Sequence, residues 1–225
     1  MPYDPDRHHR RSIRMPGWDY TQAGAYFVTI VTHGRECIFG EIVGDIMHLS
    51  AWGEIAARCW QNIPHHFPHV GLDEWVVMPN HIHGIIIITN TDNVVGAQHA
   101  APLPGQHDPS PDTSPPAPLP GQPGPRRTNI QPGSLGAIIR SFKSAVTKRI
   151  NAQRDTPGAP VWQRNYWEHV IRTERALDAI RRYITHNPAR WHLDRYNPNA
   201  IGPDPWAQRA WRLMRSTSAE SEVRS

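Results

Sequence analysis

Residues 91–133 are dominated by proline, glycine, serine and aspartate, and the hexapeptide APLPGQ occurs in them twice, at 101–106 and 117–122. Such a segment has too few apolar side chains to bury a core, and its prolines favour extended polyproline conformations. A fold built by this 225-residue chain is therefore assembled from the stretches on either side. The block also explains why hydrophobic residues make up only 38% of a chain with 23 prolines. It reads as a linker between two halves of one domain.

The first half opens with residues 25–32, AYFVTIVT, a β-branched and aromatic run that predicts a strand. Residues 41–48 suggest a short return strand. Ser50 then precedes an amphipathic stripe of Trp52, Ile55, Ala56, Cys59 and Ile63, a capped helix ended by Pro64. Residues 72–77 and 81–89 predict two strands joined by a turn at Met78-Pro79-Asn80, hence a hairpin.

Beyond the linker, Ser134 caps a helix with Leu135, Ile138, Ile139, Phe142, Val146 and Ile150 on one side. Residues 161–172 read as loop and strand. Thr173 caps a third helix running to about Asn187, since Pro188 disfavours helix before it. These elements predict an α+β fold, a mostly antiparallel sheet with helices on one face. The domain spans 20–90 and 134–196, with a basic arm at 1–19, the insert at 91–133 and a tail at 197–225.

Net charge is +4 with a pI near 9.4, and residues 7–14 read RHHRRSIR. A basic balance favours polyanions, with nucleic acid first among them. The two cysteines, Cys37 and Cys59, form neither a CxxC zinc motif nor a disulfide framework. The opening residues carry no apolar stretch and no apolar run is long enough to cross a bilayer. The expectation is a cytoplasmic, nucleoid-associated protein.

His81 and His83 alternate on a strand, so both imidazoles face one side and can chelate one cation. Taken alone, the spacing equally suits two half-exposed histidines. A histidine-triad hydrolase would need a further histidine where Ile85 stands, and no HExxH zinc motif is present. On the third helix Tyr183 and Asn187 are four apart and share a face, beside the apolar stripe of Leu177, Ile180 and Ile184. A packing tyrosine and an asparagine C-cap fit the same positions. Arg140, Lys143, Lys148, Arg164 and Arg172 are candidate phosphate contacts. Glu168 and His169 are candidates to support a metal-bound histidine from behind.

The run Glu74-Trp-Val-Val-Met-Pro-Asn-His-Ile-His-Gly84 resembles the metal motif of HUH-type single-tyrosine transposases. The runs VWQRNYWEHVIR at 161–172 and YITHNP at 183–188 resemble the REP-associated tyrosine transposase branch, in the same order. The likeness covers about residues 18–92 and 133–196; the long insert departs from it. It implies a ferredoxin-like or RRM-like sheet carrying a catalytic C-terminal helix. It also implies Tyr183 as nucleophile, His81, His83 and Asn187 as metal ligands, and Mg²⁺ or Mn²⁺ as the metal. The implied activity is cleavage and rejoining of single-stranded DNA at hairpin-forming repeats through a 5′-phosphotyrosine, by a monomer or homodimer. A non-catalytic hairpin-binding relative would share the same sequence features.

Overall fold

Strand β1 (Gly24–Val31) is the backbone of the architecture, because it is paired on both edges. The computed structural model describes residues 17–90 and 130–216, so most of the arm, most of the insert and the last nine residues of the tail lie outside the described residues. After β1 comes a small separate hairpin, β2 (Gly40–Val43) and β3 (Ile46–Leu49), where the sequence suggested a single return strand. The turn at Gly44-Asp45 has positive φ at both residues, which closes the two strands tightly.

Helix α1 (Ala51–Gln61) starts where expected, with the Ser50 hydroxyl accepting from the Gly53 amide. It ends at Gln61, ahead of Pro64. The proline instead lies in the first turn of a short α2 (Ile63–His66), where a missing N–H costs nothing. Strands β4 (Val70–Met78) and β5 (His81–Ile88) form the predicted hairpin, and α3 (Leu135–Gln153) is capped by Ser134. Strand β6 (Trp167–Ile171) leads into α4 (Glu174–Thr185), capped by Thr173. Helix α4 stops two residues before Asn187, and a 3-10 turn (Pro188–Leu193) follows.

The sheet order is β4-β5-β1-β6 with every neighbour antiparallel. With α1 between β1 and β4 and α3 between β5 and β6, this is a ferredoxin-like βαββαβ arrangement. Alternation along β1 sends Tyr26, Val28 and Ile30 to one face, where they pack with Trp60, Ile138 and Phe142 of α1 and α3. Gly84 permits the closest approach there: a β-carbon on it would lie 2.3 Å from the Trp60 ring.

The helices expected on one face are α1 and α3. The Tyr183 helix covers the other face, so both sides of the sheet are clad. The cause is apolar: Phe27, Ile85 and Ile171 point that way and need cover, which Ile180 and Ile184 of α4 supply. A second cover was not anticipated. Residues read as tail form α5 (Pro205–Ser216), whose Ala207, Ala210, Trp211 and Met214 recur at helical spacing and pack on the same cluster. Asp204 starts this helix by accepting from the Trp206 amide, and it also receives the Arg190 guanidinium. Arg181 of α4 reaches β4 through two bonds to Asp73, of 2.8 and 2.7 Å.

Gly84→Ala should lower stability by about 1–3 kcal/mol, since Trp60 must be displaced from a packed layer. Gly71→Ala on β4, whose added carbon meets nothing closer than 3.8 Å, should stay near wild type. Paired thermal melts of the two variants check this; equal melting temperatures would sink it.

Candidate metal centre

The β1–β5 register sets His81 opposite Val31 and His83 opposite Thr29. Both histidines face the α4 side, and both are fully buried. Each ring is held from behind by a neutral partner. His83 Nδ1 lies 2.8 Å from Thr29 Oγ1, and His81 Nδ1 lies 2.9 Å from Asn80 Oδ1. Asn80 is itself pinned, its Nδ2 donating to the carbonyls of Arg35 and Tyr196 at 3.0 and 2.8 Å. With the Nδ1 atoms so engaged, both Nε2 atoms turn toward a common point.

Asp194 meets them there. Its Oδ2 lies 3.8 Å from His81 Nε2 and 3.9 Å from His83 Nε2, and the three ligand atoms fall within 4.8 Å of one another. Metal–ligand bonds of about 2.1 Å set ligand atoms roughly 3–4 Å apart, so the group could hold a metal ion. The 3-10 turn and the Asp194 Oδ1 bond to the Tyr196 amide, 2.6 Å, fix the carboxylate. Asn187 stands beside it, with Nδ2 3.4 Å from Asp194 Oδ2.

Two polar atoms of this cluster are buried without any hydrogen-bond partner, His81 Nε2 and Asn187 Oδ1. Leaving a buried acceptor unmet typically costs about 1–3 kcal/mol. A cation bound by both atoms would remove that cost. Two imidazoles with one carboxylate and one amide oxygen form a mixed donor set that suits Mn²⁺ and is harder than imidazole alone.

Tyr183 completes the cluster. It is 4% exposed, its hydroxyl lies 3.0 Å from His83 Nε2, and Phe27 and Trp211 flank its ring. Electrostatics are set by burial. The His81 pKa is pushed down to about 3 by burial and by its neighbour His83, so the ring offers a lone pair. For Asp194 burial opposes the charge, yet the His83 and His81 rings and the Tyr196 amide outweigh it and hold the carboxyl well below its usual range. The Tyr183 phenol is raised well above its ordinary value, first by burial and then by Asp194.

Sequence reasoning brought together His81, His83, Tyr183 and Asn187, and the fold does the same. It missed Asp194, Asn80 and Thr29. Asp194 has no motif spacing to the histidines. Asn80 and Thr29 follow only from turn and strand register. Glu168, expected behind a histidine, is placed otherwise: on β6 it alternates to the α1–α3 side with Val170, across the sheet from the cluster. Thr29 takes the position behind His83 instead. His169 faces the α4 side, but its Nε2 bonds the Met214 carbonyl of α5 at 3.2 Å, so it anchors that helix.

The basic candidates are also dispersed. Arg140, Lys143 and Lys148 lie on α3, in the layer across the sheet from Tyr183. Lys143 donates to the carbonyls of Gln163 and Arg164 at 2.6 and 3.2 Å, and burial lowers its pKa to about 8. Arg164 is exposed on the loop before β6, and Arg172 stands 5.5 Å over the Trp18 ring.

No known protein-family profile matches the chain. Among solved structures, a REP-associated tyrosine transposase bound to a REP hairpin is similar at 15% identity and a TM-score of 0.44, over 79% of this chain and 74% of that one. A Deinococcus radiodurans R1 protein, provisionally described as a transposase, is similar at 15% identity and a TM-score of 0.35, over 76% and 95%. Likenesses this distant identify no activity. A Haemophilus influenzae protein, described only as an uncharacterized protein, is 38% identical over 192 residues, which is 85% of this chain and 95% of the relative. The chain belongs to the same family as that Haemophilus influenzae protein.

Proposed function

We propose that this protein is a transposase of the REP-associated tyrosine type, cleaving and rejoining single-stranded DNA at hairpin-forming repeats with Tyr183 as nucleophile. The observation that carries the reading is the meeting of Tyr183 Oη with His83 Nε2, 3.0 Å apart, inside a buried His81-His83-Asp194 group. Any buried tyrosine hydroxyl takes a hydrogen-bond partner, but this one takes it from a group that also leaves His81 Nε2 and Asn187 Oδ1 unmet, as a cation site would. The motif resemblance of residues 74–84, 161–172 and 183–188 names the chemistry.

In this reading His81, His83 and Asp194, with Asn187 Oδ1, hold a divalent Mg²⁺ or Mn²⁺. Such an ion supplies polarisation of a non-bridging phosphate oxygen and local positive charge. Thr29 and Asn80 keep the two rings aimed. Tyr183 Oη forms a bond to the scissile phosphorus while the bond to the 3′ oxygen breaks. The phenol loses its proton, the departing oxygen gains one, and the strand is left with a free 3′-OH and a 5′-phosphotyrosine. One phosphodiester replaces another, so rejoining is the reverse step and needs no nucleotide cofactor. The catalytic unit comprises residues 20–90 and 134–216; it reaches past 196 because α5 packs Trp211 against Tyr183.

The experiment uses a hairpin with single-stranded flanks taken from palindromic DNA beside the gene. With Mn²⁺, wild type should form a covalent adduct that survives a denaturing gel. Tyr183→Phe should reduce it by at least roughly 10³-fold. An undiminished adduct in that variant removes Tyr183 as nucleophile. No adduct with wild type leaves a binding-only protein, and cleavage without an adduct points to hydrolysis by water.

Thr29→Val should weaken Mn²⁺ binding about 10–100-fold, because His83 loses the partner that orients it. Calorimetric titration of Mn²⁺ into wild type and variant reads this directly. Unchanged affinity would mean that Thr29 does not serve the metal.

A further inference from the structure

Two cations stand over the Tyr196 ring, which borders the cluster. The guanidinium carbons of Arg35 and Arg195 stand 5.7 and 5.3 Å from the centroid of the Tyr196 ring. That ring lies 4.8 Å from the His81 ring and 6.2 Å from the His83 ring. Both arginines are exposed, and among the described residues neither pairs with a carboxylate. Arg181 and Arg190 differ in this respect, being bound to Asp73 and Asp204.

The backbone around them is held with unusual care. Arg35 has φ +61°, a region that side-chain-bearing residues rarely adopt. Its turn is fixed by the Arg35 amide donating to Thr32 O and by Thr32 Oγ1 donating to Glu36 O. Its carbonyl and that of Tyr196 both accept from the buried Asn80, whose other atom meets His81. One side chain thus couples the positions of Arg35, Tyr196 and a candidate metal ligand. Strained residues over-determined in this way recur where a side chain must be presented to a ligand.

We propose that Arg35 and Arg195 form a two-armed clamp for a DNA backbone phosphate at the mouth of the metal centre, with Tyr196 as the platform that keeps both arms over it. The clamp rests on the DNA-cleaving reading above and gives it the strand-positioning residues that α3 does not supply. Guanidinium forks match phosphate oxygens in pairs, and stacking on an aromatic face leaves their N–H edges free for that contact. The anion bound is a phosphodiester next to the one attacked, so Arg35 and Arg195 are positioning residues.

The test separates binding from chemistry by working in full-length Tyr183→Phe protein. Arg35→Asn, which tolerates positive φ, and Arg195→Ala are compared with Arg58→Ala, a charge change on α1 across the sheet. The probe is the fluorescent hairpin with single-stranded flanks, titrated over a range of salt. Each clamp variant should weaken binding on the order of tenfold and make the slope of log K against log salt shallower by about 0.7, the value for one single-strand phosphate contact. Mn²⁺ affinity and melting temperature should match the parent, and Arg58→Ala should leave both slope and affinity unchanged. Parental slopes in both clamp variants would overturn the proposal. A parallel loss of Mn²⁺ affinity would overturn it too, making the arginines mere supports of the cluster. If wild type forms no adduct but the slopes still change, the cleavage reading fails and the phosphate contact stands. If the adduct forms and the slopes do not change, the clamp alone fails.

Discussion

The pairing of β1 with β5 is the constraint on which the rest depends. Three successive pairs, Ile30 with Ile82, Thr29 with His83 and Val28 with Gly84, alternate between the two faces of the sheet. The first and third feed the layer that holds Trp60, and the middle one forms part of the candidate metal cluster. A slip of one residue would turn every side chain to the opposite face. It would drive His83 against Trp60 and turn Ile82 away from the α1–α3 layer. Core burial on one side thus fixes the facing of the histidines on the other. Gly84 sharpens this, because only a residue without a side chain lets Trp60 settle at that point of the register.

The second helical layer turns a facing into a site. Histidines on an open sheet would be hydrated, and their Nε2 atoms would be met by water. Helix α4 and the 191–196 segment cover them, and the spacing of Ile180, Tyr183 and Ile184 makes the docking of α4 deliver the phenol. Phe27 and Trp211 hold the ring while its hydroxyl reaches His83. The chain then turns through the 3-10 segment, which returns Asp194 to the same point. Phenol and carboxylate therefore arrive from one continuous segment, 174–194.

Much of this was legible from pattern alone. Runs rich in β-branched and aromatic residues located β1, β4 and β5, period-3.6 stripes located α1, α3 and α4, and serine and threonine caps marked the helix starts within a residue. Strand and helix periodicity put His81 with His83 and Tyr183 with Asn187 on shared faces but left packing roles equally open; the motif resemblance singled the four out. Asp194 was not legible, because its approach depends on the path of a turn, which no local period records. Helix α5 was hidden for a different reason. Its stripe of Ala207, Ala210, Trp211 and Met214 is regular, and Asp204-Pro205 is a fair start signal, but it follows a stretch rich in proline and asparagine that reads as tail. The two-faced cladding did leave a trace. The run Ile85–Ile88 is apolar at every position, which marks a strand covered on both sides rather than one.

The electrostatics of the cluster bear on how Tyr183 would serve as the proposed nucleophile. Without a cation the local charge is that of Asp194, and a phenolate beside it would be opposed by both burial and repulsion, as the raised Tyr183 pKa reflects. A divalent ion, if held by His81, His83 and Asp194, would change the net local charge from one negative to one positive. Unit charges about 4 Å apart interact by roughly 4 kcal/mol at an effective dielectric near 20. Reversing the sign of such a term would lower the phenol pKa. Burial, which suppresses ionisation of Tyr183 on its own, amplifies the effect of the ion by excluding the water that would screen it. Under the proposed function, ionisation of Tyr183 would therefore depend on the metal, and a phenolate would form only with the ion in place.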